Sequence, residues 1–141
     1  MEVSHVNRRL KAAIDQARTR TQARRQRTAE AEQAFAAFLE KVATPVTRQM
    51  ANALKAAGLG FTVASPDRGL RLSSDRGRDD YIEFALDTDG AEPQAVGRVR
   101  VTRGSRTSDE TLPVKAGTAP EDLTDEDVLE FLLRALEPWL T

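Results

Sequence analysis

Tyr81-Ile82-Glu83-Phe84-Ala85-Leu86-Asp87 decides the fold. Side chains along a strand alternate between two faces, so Ile82, Phe84 and Leu86 share one side and Tyr81, Glu83 and Asp87 the other. One apolar and one charged face describe a sheet that needs a cover on one side only.

Upstream, the same pattern recurs in shorter pieces. Phe61-Thr62-Val63-Ala64 and Leu70-Arg71-Leu72 alternate, separated by the turn signal Pro66-Asp67-Arg68-Gly69, and Ser74-Asp75-Arg76-Gly77 reads as a second turn. Downstream, a loop with Gly90 and Pro93 leads to a strand from Ala95 to Thr102, with Val99 and Val101 inward and Arg98 and Arg100 outward. A register that sets residue 83 opposite 98 puts 81 opposite 100, and it predicts a solvated Glu83–Arg98 pair worth ~0.2–1 kcal/mol. A fifth short strand falls around Thr111 to Val114, which leaves 103–110 and 115–122 as the mobile loops. Strands joined by short turns, with no helix between them, make an antiparallel meander over 60–115.

The flanks are helical. Thr124-Asp125-Glu126-Asp127 is a capping box with Asp in place of Glu or Gln, and Leu123 and Val128 stand at the staple positions. Val128, Phe131, Leu132, Ala135, Leu136 and Trp139 form a broad apolar face, and Pro138 is expected to end this helix, giving 124–138. At the other end, no Gly or Pro occurs from Ser4 to Val42. Ala, Arg, Gln and Glu dominate there and favour helix. Val6, Leu10, Ala13, Ile14 and Ala17 share a face that Ala31, Phe35, Phe38, Leu39 and Val42 continue. Between them Thr21, Arg24 and Thr28 make the stripe polar. Either the helix breaks near 19–28 into two, or, with no breaker residue present, it is continuous over 1–43 and ~60 Å long at ~1.5 Å per residue. A domain of this size spans only ~35–40 Å, so a continuous helix must overhang. Thr44 and Pro45 read as the cap and first residue of a second helix, 45–57, stopped by Gly58. The expected architecture is therefore one α+β domain over 1–141. It has a long and a short N-terminal helix, a four- to five-stranded meander, and a C-terminal helix packed on the sheet's apolar face.

Charge is laid out unevenly. The 141 residues carry a formal net charge of only -1. Residues 1–28 hold eight basic side chains (Arg8, Arg9, Lys11, Arg18, Arg20, Arg24, Arg25, Arg27) against Glu2 and Asp15, whereas 109–141 hold nine acids against Lys115 and Arg134. Such asymmetry points to a partner or to self-association. Lys11, Arg18 and Arg25 line one flank of the apolar stripe; Arg9, Arg20 and Arg27 line the other. Basic flanks around an apolar seam suit a helix–helix contact.

Several chemistries are disfavoured. With no Cys, disulfides, thiolate metal sites and Cys nucleophiles are excluded. The one histidine, His5, sits in a terminal helical turn without an orienting partner. Asp75, Asp79, Asp80 and Asp87-Thr88-Asp89-Gly90 are the only oxygen-ligand candidates, and the last lacks an EF-hand's 12-residue loop and terminal Glu. Gly58-Leu59-Gly60 lies between helix and strand, the reverse of the order that aims N–H groups at phosphate. Ser4, Ser65, Ser73, Ser74, Ser105 and Ser108 all fall at caps or turns. Glu83 and Asp87 share a strand face, but so do Arg98 and Arg100 on the next strand, and ion pairing is the simpler account. No apolar h-region lies between Met1 and Ile14, and no apolar run approaches the ~20 residues of a membrane span. A cytoplasmic protein without metal or cofactor is expected.

The leading expectation is a non-enzymatic interaction module, a homodimer or the binder of a protein partner, with Arg18, Arg20, Arg24, Arg25, Arg27 and Phe35 at the contact. The second is a nucleic-acid binder using the same arginines. Against it, no aromatic is interleaved with them for base stacking and the chain is slightly acidic overall. The third is a small-molecule binder or an enzyme with a groove between sheet and helices, of unspecified ligand.

Overall fold

The computed structural model describes residues 1–76 and 79–140. Five strands, β1 (Phe61–Ala64), β2 (Leu70–Ser74), β3 (Tyr81–Asp87), β4 (Gln94–Arg103) and β5 (Arg106–Pro113), make one antiparallel sheet in sequence order. Helix α1 (Val3–Phe38), a π-helical turn (Leu39–Ala43) and α2 (Thr44–Ala56) precede it. A 3₁₀ turn (Pro120–Asp122) and α3 (Asp125–Leu140) follow. The architecture is α+β, as the strand pattern implies.

Phe84, at the centre of the deciding heptapeptide, joins the layers. Its ring lies 6.2 Å from that of Phe38 and 5.5 Å from that of Phe131, so one side chain ties the sheet to both helical segments. Around it Leu70, Leu72 and Ile82 from the sheet and Val128, Leu132 and Leu136 from α3 are fully buried. The sheet's other face is charged. Arg71 donates to Glu83 at 2.6 Å and lies 4.2 Å over the Tyr81 ring, and Arg100 pairs with Asp109 at 2.8 Å.

The meander register is as derived: Glu83 faces Arg98 and Tyr81 faces Arg100. The expected Glu83–Arg98 ion pair is not made. Glu83 turns to Arg71 on β2, its other lateral neighbour, through two hydrogen bonds from one guanidinium. Both N–H groups converge on one oxygen, Glu83 Oε2, and the same guanidinium lies over the Tyr81 ring, so Arg71 is held beside Glu83 by more than the ion pair alone.

Three boundaries differ from expectation. The two N-terminal helices are one uninterrupted helical path. Thr44 has helical φ and ψ and its N–H bonds to Leu39 O, so it caps nothing. The wider π turn lets Pro45 follow without an N–H and without its ring striking the carbonyl four residues back. Segment 103–110 is not a loop. β4 and β5 pair to Arg103↔Arg106 with only Gly104 and Ser105 between, Gly104 taking φ +64. α3 runs past Pro138 to Leu140. The turn expected at Ser74–Gly77 is described as far as Arg76; Gly77 lies outside the described residues.

The caps at Gly58 and Thr124 hold as read, whereas Ser4, expected to cap the long helix, lies inside α1, which starts at Val3 after Glu2. Gly58 takes φ +83, its N–H bonds to Lys55 O at 3.0 Å, and Leu59 N–H bonds to Leu54 O at 2.8 Å. These two bonds form a Schellman motif. Thr124 N–H donates to Asp127 Oδ2 and Asp127 N–H to Thr124 Oγ1, at 3.0 and 3.2 Å.

Candidate functional site

α1 is built for length more than for burial. It has 36 residues, yet Phe35 and Phe38 are its only buried ones. Every residue through Arg27 is exposed, and only from Thr28 does the helix begin to meet the rest of the molecule. The exposed part, Val3 to Arg27, is an arm of ~37 Å at ~1.5 Å per residue.

The arm carries an apolar stripe with nothing packed on it. Val3, Val6, Leu10 and Ile14 are 74%, 46%, 57% and 41% exposed. At 100° per residue this stripe is collinear with Phe35 and Leu39, which enter the core. The face that seals the sheet in the body thus continues, uncovered, along the arm. Scattered exposed apolar residues need no explanation, but a continuous row on one helix face does.

Arg18, Arg20, Arg24, Arg25 and Arg27 all lie on the arm and are exposed. Among the described residues, none of the arm's eight basic side chains is in an ion pair. The three pairs formed are Arg71–Glu83, Arg100–Asp109 and Lys115–Asp127. Arg24 and Arg27 stand at the arm's root, where they and Thr28 face the β3–β4 loop at Thr88–Ala91 across a polar cleft of about 370 Å³. Arg18 and Arg25 stand further out, beside Ile14 and Thr21.

Phe35 is not at the contact expected for it. It is 8% exposed and its ring sits 6.0 Å from that of Phe38, inside the core. The stripe simply crosses into the body before residue 35.

His5 lies on the exposed first turn of α1. Asp87 Oδ1 accepts the Asp89 N–H at 2.9 Å, a local turn bond. Among the described residues no three His, Asp or Glu side chains converge on a point that could hold a metal. Nor is any helix among them long and apolar enough to cross a membrane.

Two grooves lie on the helical side. One, of about 420 Å³, runs between the β4–β5 hairpin and α3, with Val101 and Leu112 on its floor and Arg103, Arg106 and Arg134 around it. The other, of about 340 Å³, lies between α2 and the start of α3; Val46, Met50, Ala53 and Leu129 floor it and Asp125 and Glu126 rim it. Sequence reading missed the second groove, although a signal was there. Leu129 and Leu133 fall outside the stripe of Val128, Phe131, Leu132 and Leu136, so the apolar face of α3 is wider than one sheet can cover. Leu133 is 49% exposed.

No family model matches this chain, and neither a curated protein nor a solved structure matches it.

Proposed function

We propose that this protein is a non-enzymatic interaction module whose docking element is the exposed arm of α1. The observation that carries this is the unpaired row Val3, Val6, Leu10 and Ile14, flanked by unpaired arginines. An overhanging helix gains little from its own domain, and most helical stability in proteins comes from tertiary packing of an apolar face. Covering the stripe both stabilises the arm and supplies binding energy.

Full burial of such side chains contributes ~1.5–3 kcal/mol each, and about half of that area is still open here, so the row offers ~4 kcal/mol. Association costs ~4 kcal/mol at the least. The apolar row therefore does not suffice, and the basic flanks must add to it. That predicts a partner surface with acidic groups beside apolar ones.

Light scattering on a size-exclusion column tests this, at low and high salt, with Leu10→Glu/Ile14→Glu beside the native chain. Neither residue touches the core, so the variant keeps its fold. Self-association in the native chain that the variant loses supports the module. A native chain that stays monomeric at hundreds of micromolar and binds no acidic protein overturns it.

The unpaired arginines favour nucleic acid as the second reading. That reading expects affinity to fall steeply with salt and to vanish when Arg18, Arg20, Arg24 and Arg25 become Gln.

A further inference from the structure

We propose that the groove between α2 and α3 receives the α1 arm of a second copy of this chain. The inference rests on the reading of the arm as a docking element, and it names the partner and the receiving surface.

The charge balance selects the occupant. Residues 1–28 carry eight basic and two acidic side chains, and the remaining residues carry thirteen and twenty. Arm and body are therefore opposite in sign within one molecule. Two arms laid side by side would bring like charges within the ~8 Å screening length of physiological salt, which opposes direct arm–arm pairing. An arm laid on an acidic surface meets no such penalty.

The α2–α3 groove has the matching chemistry. Its floor is apolar, from Val46 and Met50 on one helix and Leu129 on the other, and Asp125 and Glu126 stand on its rim. Along the exposed side of α3, Glu126, Glu130, Leu133 and Glu137 follow at helical spacing, all open to solvent. The acids stand along the α3 side of this apolar floor and complement the arginines that flank the arm's apolar row, as in recognition of a helix by a groove.

The arm cannot reach its own groove. It is the straight extension of the helix that enters the core at Phe35, with no Gly or Pro in it to allow a return. The contact must be between copies. Reciprocal exchange closes a two-fold dimer; one-way exchange grows a chain.

The experiment is a charge exchange followed by mixing. Arg18→Glu/Arg25→Glu alters the arm, Glu126→Lys/Glu130→Lys alters the groove, and thermal melts check that both fold. Each variant alone is expected to associate at least ten-fold more weakly than the native chain. An equimolar mixture is expected to recover association, because each variant supplies the surface its partner needs. If the groove variant keeps its native mass while the arm variant loses it, arms pair elsewhere: the groove assignment fails and the interaction module stands. A monomeric native chain overturns the exchange between copies, and it overturns the interaction module as well only if no acidic protein binds the arm. Association that disappears on nuclease treatment identifies nucleic acid as the partner and also overturns the proposal.

Discussion

Gly97 shows how much one residue decides. It sits on β4 opposite Phe84 and Leu112, and a Cβ built there would lie 1.9 Å from Phe131 Cζ. No rotamer adjustment absorbs that overlap, because the Phe131 ring is fully buried and lies 5.5 Å from that of Phe84. Gly97→Ala is expected to cost ~3 kcal/mol, the upper end of ordinary overpacking, in urea unfolding. Shrinking the ring should return part of the loss. Phe131→Leu destabilises the native chain, yet in the Gly97→Ala background it is expected to be neutral or stabilising, a coupling of ~1 kcal/mol or more. Additive losses would mean that the two residues do not compete for the same space. In the sequence Gly97 is merely a weak point inside a strand. The reason for it is a ring 34 positions away on α3, and alternation along β4 carries no trace of that contact.

Elements were legible where their signals are local. Alternation in β3, the Thr124–Asp127 box and the Gly58 cap depend on residues a few positions apart, and each appears as read. The errors came from the same locality. Thr44-Pro45 is a sound start signal, but burial of Leu39 and Ala43 against the core holds the backbone helical through it, with a π turn accommodating the proline. Arg103 to Glu110 lacks an apolar face because the hairpin projects past the core; backbone pairing, which side-chain pattern does not report, makes it a strand pair. The capping box also has a pH signature. Hydrogen bonds from the Thr124 backbone and hydroxyl, with Lys115 nearby, hold the Asp127 carboxyl below its ordinary range. A folded-state value below the unfolded one means the unfolded chain takes up the proton first. The stabilisation is complete above the ordinary carboxylate range of ~4 and fades as pH falls through the lowered folded value. Melting temperatures from pH 6 to 2 are expected to fall less steeply for Asp127→Asn than for the native chain. Parallel curves would mean that the bond does not discriminate between the folded and unfolded carboxylate.

At the scale of the whole molecule, a basic arm and an acidic body are separated along one helical axis. The overhang itself was legible, because helix length and domain diameter follow from simple geometry. The receiving surface was not, because residues 57–124 separate α2 from α3 in the chain and the two form a groove only once the chain is folded. If the arm docks on another copy, its protection must depend on concentration. Arg18, Arg20, Arg24, Arg25 and Arg27 place five trypsin sites within ten residues, on a helix held only at its root. Cleavage needs local unwinding, and an uncovered helix held at one end unwinds at little cost. Dilute protein is expected to lose the arm rapidly and leave a stable body beginning near Thr28. Protein at high concentration is expected to lose it several-fold more slowly than the Glu126→Lys/Glu130→Lys variant at the same concentrations of protein and trypsin. That variant retains every site on the arm but carries lysines in place of two acids of α3, so its arm should stay open to cleavage at both concentrations. Equal rates for native and variant protein at high concentration would show that the groove does not shelter the arm. A native-to-variant rate ratio that does not fall as protein concentration rises would show that no second copy does.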